Sequence, residues 1–383
     1  MKILFVCQQY IHAARWINQL KYSGHEIFVF DCLDTPIHEE IEWTSHFTNW
    51  SKRKIPKLKG ENFIRKKTPF LYDKIESVFQ VSPSEKLIEI IDEIKPDLVH
   101  SLEMQSQTYH VLKARRKRSF KWAYFSWGSD IYLYQNQKKH RKKMQQVFSK
   151  LDYLFVDNNR DIKLARKLNY QQVVSGVFPG GGGYHLQSFE KYEKPFNDRG
   201  LILIKGYHHW AGRALQVLDA IELIINDIKE YEIYVYSAHK IVIDKIEELN
   251  KKYNLSIQFS SRKNQITHDE LLRLFGKAKI AIGNNITDGI PNTLLESIIL
   301  GAFPIQSNPG NVSEDYVIHG ENGYLIQFPE DSKSIAELIK DALSNNILLK
   351  SAYEKNKSLS KLLDYEYIKN EVLNSYKAIE SQL

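Results

Sequence analysis

Two rhythms of apolar and polar positions alternate along the 383-residue chain. Short unbroken apolar runs, as at residues 2–7, fit strands of a parallel sheet that is covered on both faces. Between them lie longer stretches with an apolar residue every three or four positions, the period of an amphipathic helix. The first half predicts strands at 2–7, 26–30, 96–100, 121–126, 151–156 and 173–178. Helices are predicted over 12–22, 83–95 and 161–168, the first of them ended by Gly24. Pro179-Gly-Gly-Gly-Gly183 cannot sit inside a regular element and reads as a flexible turn closing the first sheet. Polar residues 187–199 read as a linker, and the pattern restarts at 201. Strands then follow at 201–204, 232–236, 257–259, 280–283 and 303–306. Helices are predicted over 211–227, 241–253, 268–277, 292–300 and 335–344, with one or two more over 353–383. Strands alternating with helices in two rounds predict an α/β chain of two Rossmann-like domains. The boundaries fall at 1–190 and 191–360, with a C-terminal helix over 361–383 that packs back on the first domain.

Length agrees with two cores, and 43% hydrophobic with 26% charged residues is the composition of a globular protein. Cys7 and Cys32 leave little room for a disulfide framework and point to a reducing, cytoplasmic setting. No run of about 20 apolar residues exists for a membrane span, and 3–7 is too short for a signal peptide. Charge changes the picture more. Residues 1–190 carry 30 Lys/Arg against 20 Asp/Glu, whereas 191–383 carry 23 against 26. The excess peaks in residues 113–121 and 138–143. Solvated helix faces explain it, and so does an anionic lipid surface, where each basic residue gains roughly 1 kcal/mol. No nucleic-acid motif or zinc spacing accompanies the charge.

The most informative segment is Asp288-Gly-Ile-Pro-Asn-Thr-Leu-Leu-Glu296-Ser-Ile-Ile-Leu-Gly301-Ala-Phe-Pro304. Pro291 suits the first turn of a helix. The amides of Asn292, Thr293 and Leu294 would then be helix-start donors at the positive end of the dipole, an anion site. Glu296, about a turn further in, can accept ribose hydroxyls. Asp288, on the loop with Gly289 and Ile290, can accept hydroxyls of whatever the diphosphate carries. A helix capped in a core with Asp288 in a turn would give the same spacing.

This segment resembles the signature of the retaining glycosyltransferases of the GT-B fold, glycosyltransferase family four: an acid, seven residues, Glu, a helix and a Gly-x-Pro turn. Asn308-Pro-Gly310-Asn-Val-Ser-Glu314 and His319-Gly320-Glu-Asn322-Gly323-Tyr-Leu325 match the stretches that follow it in the family. Ser23-Gly24-His25, Pro96-Asp97-Leu-Val-His100, Gly128-Ser-Asp130 and Phe178-Pro179-Gly-Gly extend the likeness more weakly to the first half. The resemblance implies two Rossmann-like domains facing across a cleft, the donor on the second and the acceptor on the first. It implies transfer of a hexose or N-acetylhexosamine from a nucleoside diphosphate sugar to a glycan or lipid-linked acceptor, with retention. Lys205 and Arg213 would hold the diphosphate, Glu296 the ribose and Asp288 the donor sugar. No cofactor or metal is expected, since no Asp-x-Asp pair occurs and side-chain cations with a helix dipole can replace the ion. A lipid-linked acceptor would suit surface polysaccharide synthesis at the inner face of the cytoplasmic membrane.

The chain also departs from the family. Lys205-Gly206 precedes Gly212-Arg213, the reverse of the usual order, and Trp127 stands where the family has His. On the acceptor side Asp130, Glu103, His110 and His12 are candidates beside Trp127. Residues 31–72 carry no legible motif. An epimerase or phosphorylase of the same fold, or an inactive carbohydrate-binding relative, stays open. A dinucleotide oxidoreductase is disfavoured, because Cys7-Gln-Gln-Tyr10 follows the first strand in place of Gly-x-Gly-x-x-Gly.

Overall fold

The computed structural model describes residues 1–56, 59–68 and 78–383. Two compact units divide it. One holds Met1–Asp157, Asp161–Gly182 and Lys369–Leu383; the other holds Asn158–Arg160 and Gly183–Ile368.

The first unit is built on strands β1 (Lys2–Val6), β2 (Glu26–Phe30), β3 (Ser45–Phe47), β4 (Leu98–Leu102), β5 (Lys121–Ser126), β6 (Tyr153–Val156) and β7 (Val174–Val177). They form one sheet in the order β3-β2-β1-β4-β5-β6-β7, every pair parallel. The second unit repeats the plan with β8 (Leu201–Lys205), β9 (Glu232–Ala238), β10 (Gln258–Ser261), β11 (Ala278–Gly283), β12 (Phe303–Ser307) and β13 (Tyr324–Ile326). Its order, β10-β9-β8-β11-β12-β13, is again parallel throughout. Both are doubly wound Rossmann-like sheets, in which the winding reverses beside the first strand. The central strands are buried on both sides, which is why they read as continuous apolar runs. β3 and β13 escape sequence reading because three residues cannot display a period.

The C-terminal helix Tyr365–Glu380 contributes Val372, Tyr376 and Ile379 to the first unit's buried residues. Trp16 Nε1 donates to Tyr376 Oη at 3.3 Å, and that hydroxyl lies 2.7 Å from His100 Nδ1. The His100 ring is stacked on Phe5 and Phe155, with centroids 5.2 and 5.1 Å away. Its Nε2 is buried with no partner among the described residues. Burial pushes the His100 imidazole down to about 3.

The glycine run is packed, not loose. A Cβ on Gly183 would stand 2.6 Å from Asp364 O, where Tyr184 and Tyr365 exchange backbone bonds with Leu363 and Tyr184. The flexible-turn expectation is corrected: glycine is needed there for close backbone approach. Among the described residues no helix is long and apolar enough to cross a membrane.

Candidate active site

In the second unit β8 and β11 are neighbours, but the chain leaves them toward opposite edges of the sheet. Such a reversal opens a crevice at the carboxyl ends of the two strands, the place where doubly wound sheets bind ligands. The loops that follow these strands are tied together: Arg213 N donates to Asn284 O and Ile286 N to Ala211 O, both at 2.9 Å. Gly206 lets the first loop hug the sheet, because a Cβ there would lie 2.6 Å from the Cα of Ala238. At this crevice the fold brings together Lys205, ending β8, and Asp288, on the loop after β11.

Asp288 is half-buried and fixed by its own loop. Asn285 Nδ2 donates to Oδ2 at 2.9 Å and Gly289 N to Oδ1 at 3.0 Å. Burial raises its carboxyl above the usual range, opposed by Lys205, the Gly289 amide, Arg160 and Asn285. The helix Asn292–Ile299 begins three residues after Gly289, with Pro291 at its N-cap and no side chain capping it. One expected donor is not available. Leu294 N donates to Pro291 O at 2.9 Å, since the first turn closes on itself. Tyr184 Oη meets Asn292 Oδ1 at 3.3 Å, and Tyr236 hydrogen-bonds the Thr293 side chain. Glu296 is nearly fully buried, and His268 Nε2 lies 2.7 Å from its Oε1.

Of the two expected cations, Lys205 lies 4.8 Å from the centroid of the Tyr207 ring, which also carries Arg262 on a face. Arg213 is engaged elsewhere. Its Nε pairs with Glu330, and its Nη1 donates to the carbonyls of His209 and Gly212 at 3.0 and 2.8 Å. Gln216 holds the second Glu330 oxygen at 3.1 Å. Sequence reading gave no role in the site to Glu330, His268 or Arg262. Each is remote in sequence from its partner, and no local pattern marks such pairs.

The acceptor-side candidates all belong to the first unit. Tyr10, His12 and Trp127 form an aromatic group, with centroids 5.5 Å apart for Tyr10–His12, 5.4 Å for Tyr10–Trp127 and 6.4 Å for His12–Trp127. Trp127 Nε1 is buried with no partner among the described residues. Asp130 accepts from the Trp127 amide at 3.1 Å and from the Tyr124 hydroxyl at 2.5 Å. Burial, with the charges of Glu103 and Asp161, pushes its carboxyl up to about 7 against those two bonds. Burial and Arg15 lower His12.

Two other candidates have local work. Glu103 sits in the left-handed region at φ 71° and caps the turn after β4, accepting from the amides of Gln105 and Ser106 at 2.8 and 2.6 Å. His110 faces Ser84 Oγ at 3.1 Å, and burial pushes it down to about 3. Asp31, at the end of β2, stands where a dinucleotide fold would bind ribose. Here its oxygens are taken by Leu33 N, Thr35 and Gln107 Nε2.

Comparison with known proteins agrees with this reading of the fold. Residues 2–158 match the glycosyl transferase 4-like family, and residues 217–359 match the glycosyl transferases group 1. A curated relative is the GalNAc-alpha-(1->4)-GalNAc-alpha-(1->3)-diNAcBac-PP-undecaprenol alpha-1,4-N-acetyl-D-galactosaminyltransferase of Campylobacter jejuni. It is 20% identical over 243 residues, 63% of this chain, and the chain spans 66% of its length, just under two thirds. The lipopolysaccharide outer core galactosyltransferase WaaB, in apo form, superposes with a TM-score of 0.72 at 14% identity, each chain covered fully. Anabaena HepE in complex with UDP gives 0.68 at 11% identity over 99% of this chain and 100% of its own. At such identities the structural likeness establishes the fold, the two-domain Rossmann-like GT-B arrangement. With most of its length matched by these two families, the chain belongs to the group 1, family-four-like glycosyltransferases.

Proposed function

We propose that the protein transfers a hexose or N-acetylhexosamine from a nucleoside diphosphate sugar to a glycan or lipid-linked acceptor, with retention, in surface polysaccharide synthesis. The observation that carries this reading is the start of the Asn292–Ile299 helix. It has no side-chain cap, lies between Asp288 and Glu296, and sits at the carboxyl-end crevice that Lys205 also borders. A diphosphate there would meet a helix N-terminus and a cation, and each acid would have sugar hydroxyls within its reach. As the bond to the anomeric carbon breaks, negative charge grows on the departing phosphate. A cation placed there in advance favours the transition state over the ground state. In this proposal Lys205 serves first, and Arg213 joins when the phosphates compete it away from Glu330.

The relative's printed name, with its undecaprenol pyrophosphate glycan, and the UDP held by HepE support a lipid-linked acceptor and a uridine donor. Exposed Lys113, Arg116, Lys117 and Lys121, with Lys138, Arg141 and Lys142 on the helix Lys138–Phe148, supply charge for an anionic membrane face. Trp127, Tyr10 and His12 would offer an aromatic floor to the acceptor.

Incubating the protein with uridine, guanosine and adenosine diphosphate sugars and a polyprenyl-pyrophosphate glycan should yield an extended glycan from one donor. Excess EDTA should leave the rate unchanged, because we assign charge neutralisation to side chains and not to a divalent ion. Donor isomerisation or phosphorolysis without acceptor would replace this reading by another of the same fold. Equal binding to neutral and anionic vesicles would remove its membrane part. Lys205→Ala should lower kcat by about 10²–10³-fold, the usual loss for one charge-stabilising donor. An unchanged kcat would take Lys205 out of the site.

A further inference from the structure

His268 has no place in the donor-site reading so far, yet it holds one of its two acids. It opens the helix His268–Lys277, and the start of that helix is fixed by a reciprocal cap. Thr267 Oγ1 accepts from Glu270 N at 3.2 Å, and Glu270 Oε2 accepts from Thr267 N at 2.8 Å. The neighbouring Asp269 is drawn the other way, to Arg273 at 2.9 Å and Lys191 at 3.5 Å. The backbone under His268 is therefore anchored on both sides, and its ring meets Glu296 Oε1 at 2.7 Å. The two partners differ sharply in access: the Glu296 side chain is 4% exposed and that of His268 is 49%. A buried carboxylate needs its lone pairs satisfied, and a half-exposed imidazole can supply a proton at little cost in desolvation.

We propose that His268 is a positioning residue for the nucleotide: its Nε2–H ties Oε1 of Glu296, so that Oε2 is presented in one orientation to a ribose hydroxyl. This rests on the donor-site reading and adds a determinant of ribose selectivity to it. A carboxylate free to rotate would pay orientational entropy whenever a hydroxyl bound; one tied by an anchored ring has paid it beforehand. Since the ribose is remote from the bond that breaks, the contact is made equally in ground and transition states. Its loss should therefore appear in affinity and KM and not in kcat.

Calorimetric titration of the full chain with uridine, guanosine and adenosine 5′-diphosphates identifies the nucleotide, after which its 2′-deoxy and 3′-deoxy forms are compared. The wild type should bind one deoxy form about tenfold more weakly than the ribo form, the usual worth of one charge-assisted hydrogen bond. His268→Ala should bind the ribo form about tenfold more weakly and no longer distinguish it from that deoxy form. His268→Gln, which keeps an N–H at similar reach, should restore the distinction. In turnover, His268→Ala should raise the donor KM by a similar factor with kcat within about twofold. Undiminished discrimination in His268→Ala, or an equal loss for ribo and deoxy forms, overturns the role of His268 and leaves the donor site standing. A wild type that binds none of the three nucleotides overturns the donor-site reading and this inference with it.

Discussion

Asp288→Ala should abolish detectable transfer, and Glu296→Ala should raise the donor KM about tenfold or more with kcat little changed, while the protein keeps its fold. Asp288 lies between the Asn285 amide, the Gly289 amide and the charge of Lys205, so its carboxylate is already held where a donor hydroxyl would meet it. Burial works against its ionised state, and Lys205 offsets that; such balanced environments are where functional carboxylates are found. Truncation removes both the acceptor and the carboxylate that faces the charge of Lys205. Losses of about 10²–10³-fold or more follow from removing one preorganised polar group. Asp288→Asn separates shape from charge. Its amide oxygen can still accept from Gly289, but its NH₂ faces the Asn285 NH₂, so it should be nearly as inactive as Ala. Glu296→Ala removes both the ribose contact and the partner of His268, and because His268 is half-exposed, water can take over that role at small cost in stability. Initial rates, with circular dichroism and melting of each variant as a control on folding, decide the matter. A wild-type rate in Asp288→Ala and a wild-type donor KM in Glu296→Ala would reject the assignment.

The second large effect concerns stability in acid. His100 is held neutral in the core, its imidazole pushed down to about 3, whereas in an unfolded chain it titrates near 6.5. Between those values the unfolded state binds the extra proton. Stability from His100 is present above about pH 6.5 and is lost progressively as pH falls toward 3. From pH 7 to pH 5 the loss is about 2 kcal/mol. His110 acts with the same sign over the same window. Asp130 acts with the opposite sign. Raised to about 7, it takes up its proton in the folded state first, which stabilises the fold as pH falls from about 7 to 4. The wild-type pH profile mixes these contributions, so the His100 share is read by difference. His100→Gln keeps an acceptor for the Tyr376 hydroxyl and removes the titration. Its urea midpoint for unfolding of the first unit should fall less between pH 7 and pH 5 than that of the wild type. Identical slopes would show that His100 does not carry the acid sensitivity. Two units make a single two-state analysis unsafe, so the transitions are followed separately.

Most of the architecture was legible because it rests on local pattern. β2, β5 and the helix His268–Lys277 carry the bounds expected from their runs, and Pro83, after its Ser82 cap, starts the helix Pro83–Ile94 where its chemistry requires. Elsewhere ends shift by a few residues, as at the first helix, which stops at Asn18 and not near residue 22. Asp288 and Glu296 were readable since one short segment carries both. What the sequence did not disclose is where the charges go. The Arg213–Glu330 pair spans 117 residues and the Trp16–Tyr376 contact 360, and such pairings are products of topology alone. The glycine run misled for a related reason: its conformational freedom is visible in the sequence, but the backbone pressed against Gly183 is not.

The helix that supplies Tyr376 carries a consequence for biosynthesis. Chains emerging from the ribosome fold N-terminal domain first, yet the first unit here lacks a wall of its core until Lys369–Leu383 have been translated. During that interval Phe155 and the Nδ1 edge of His100 await a ring that is still to be made. The second unit, whose strands are all encoded before that segment, has everything it needs to close sooner. Assembly of this protein should therefore finish at the half whose synthesis began first.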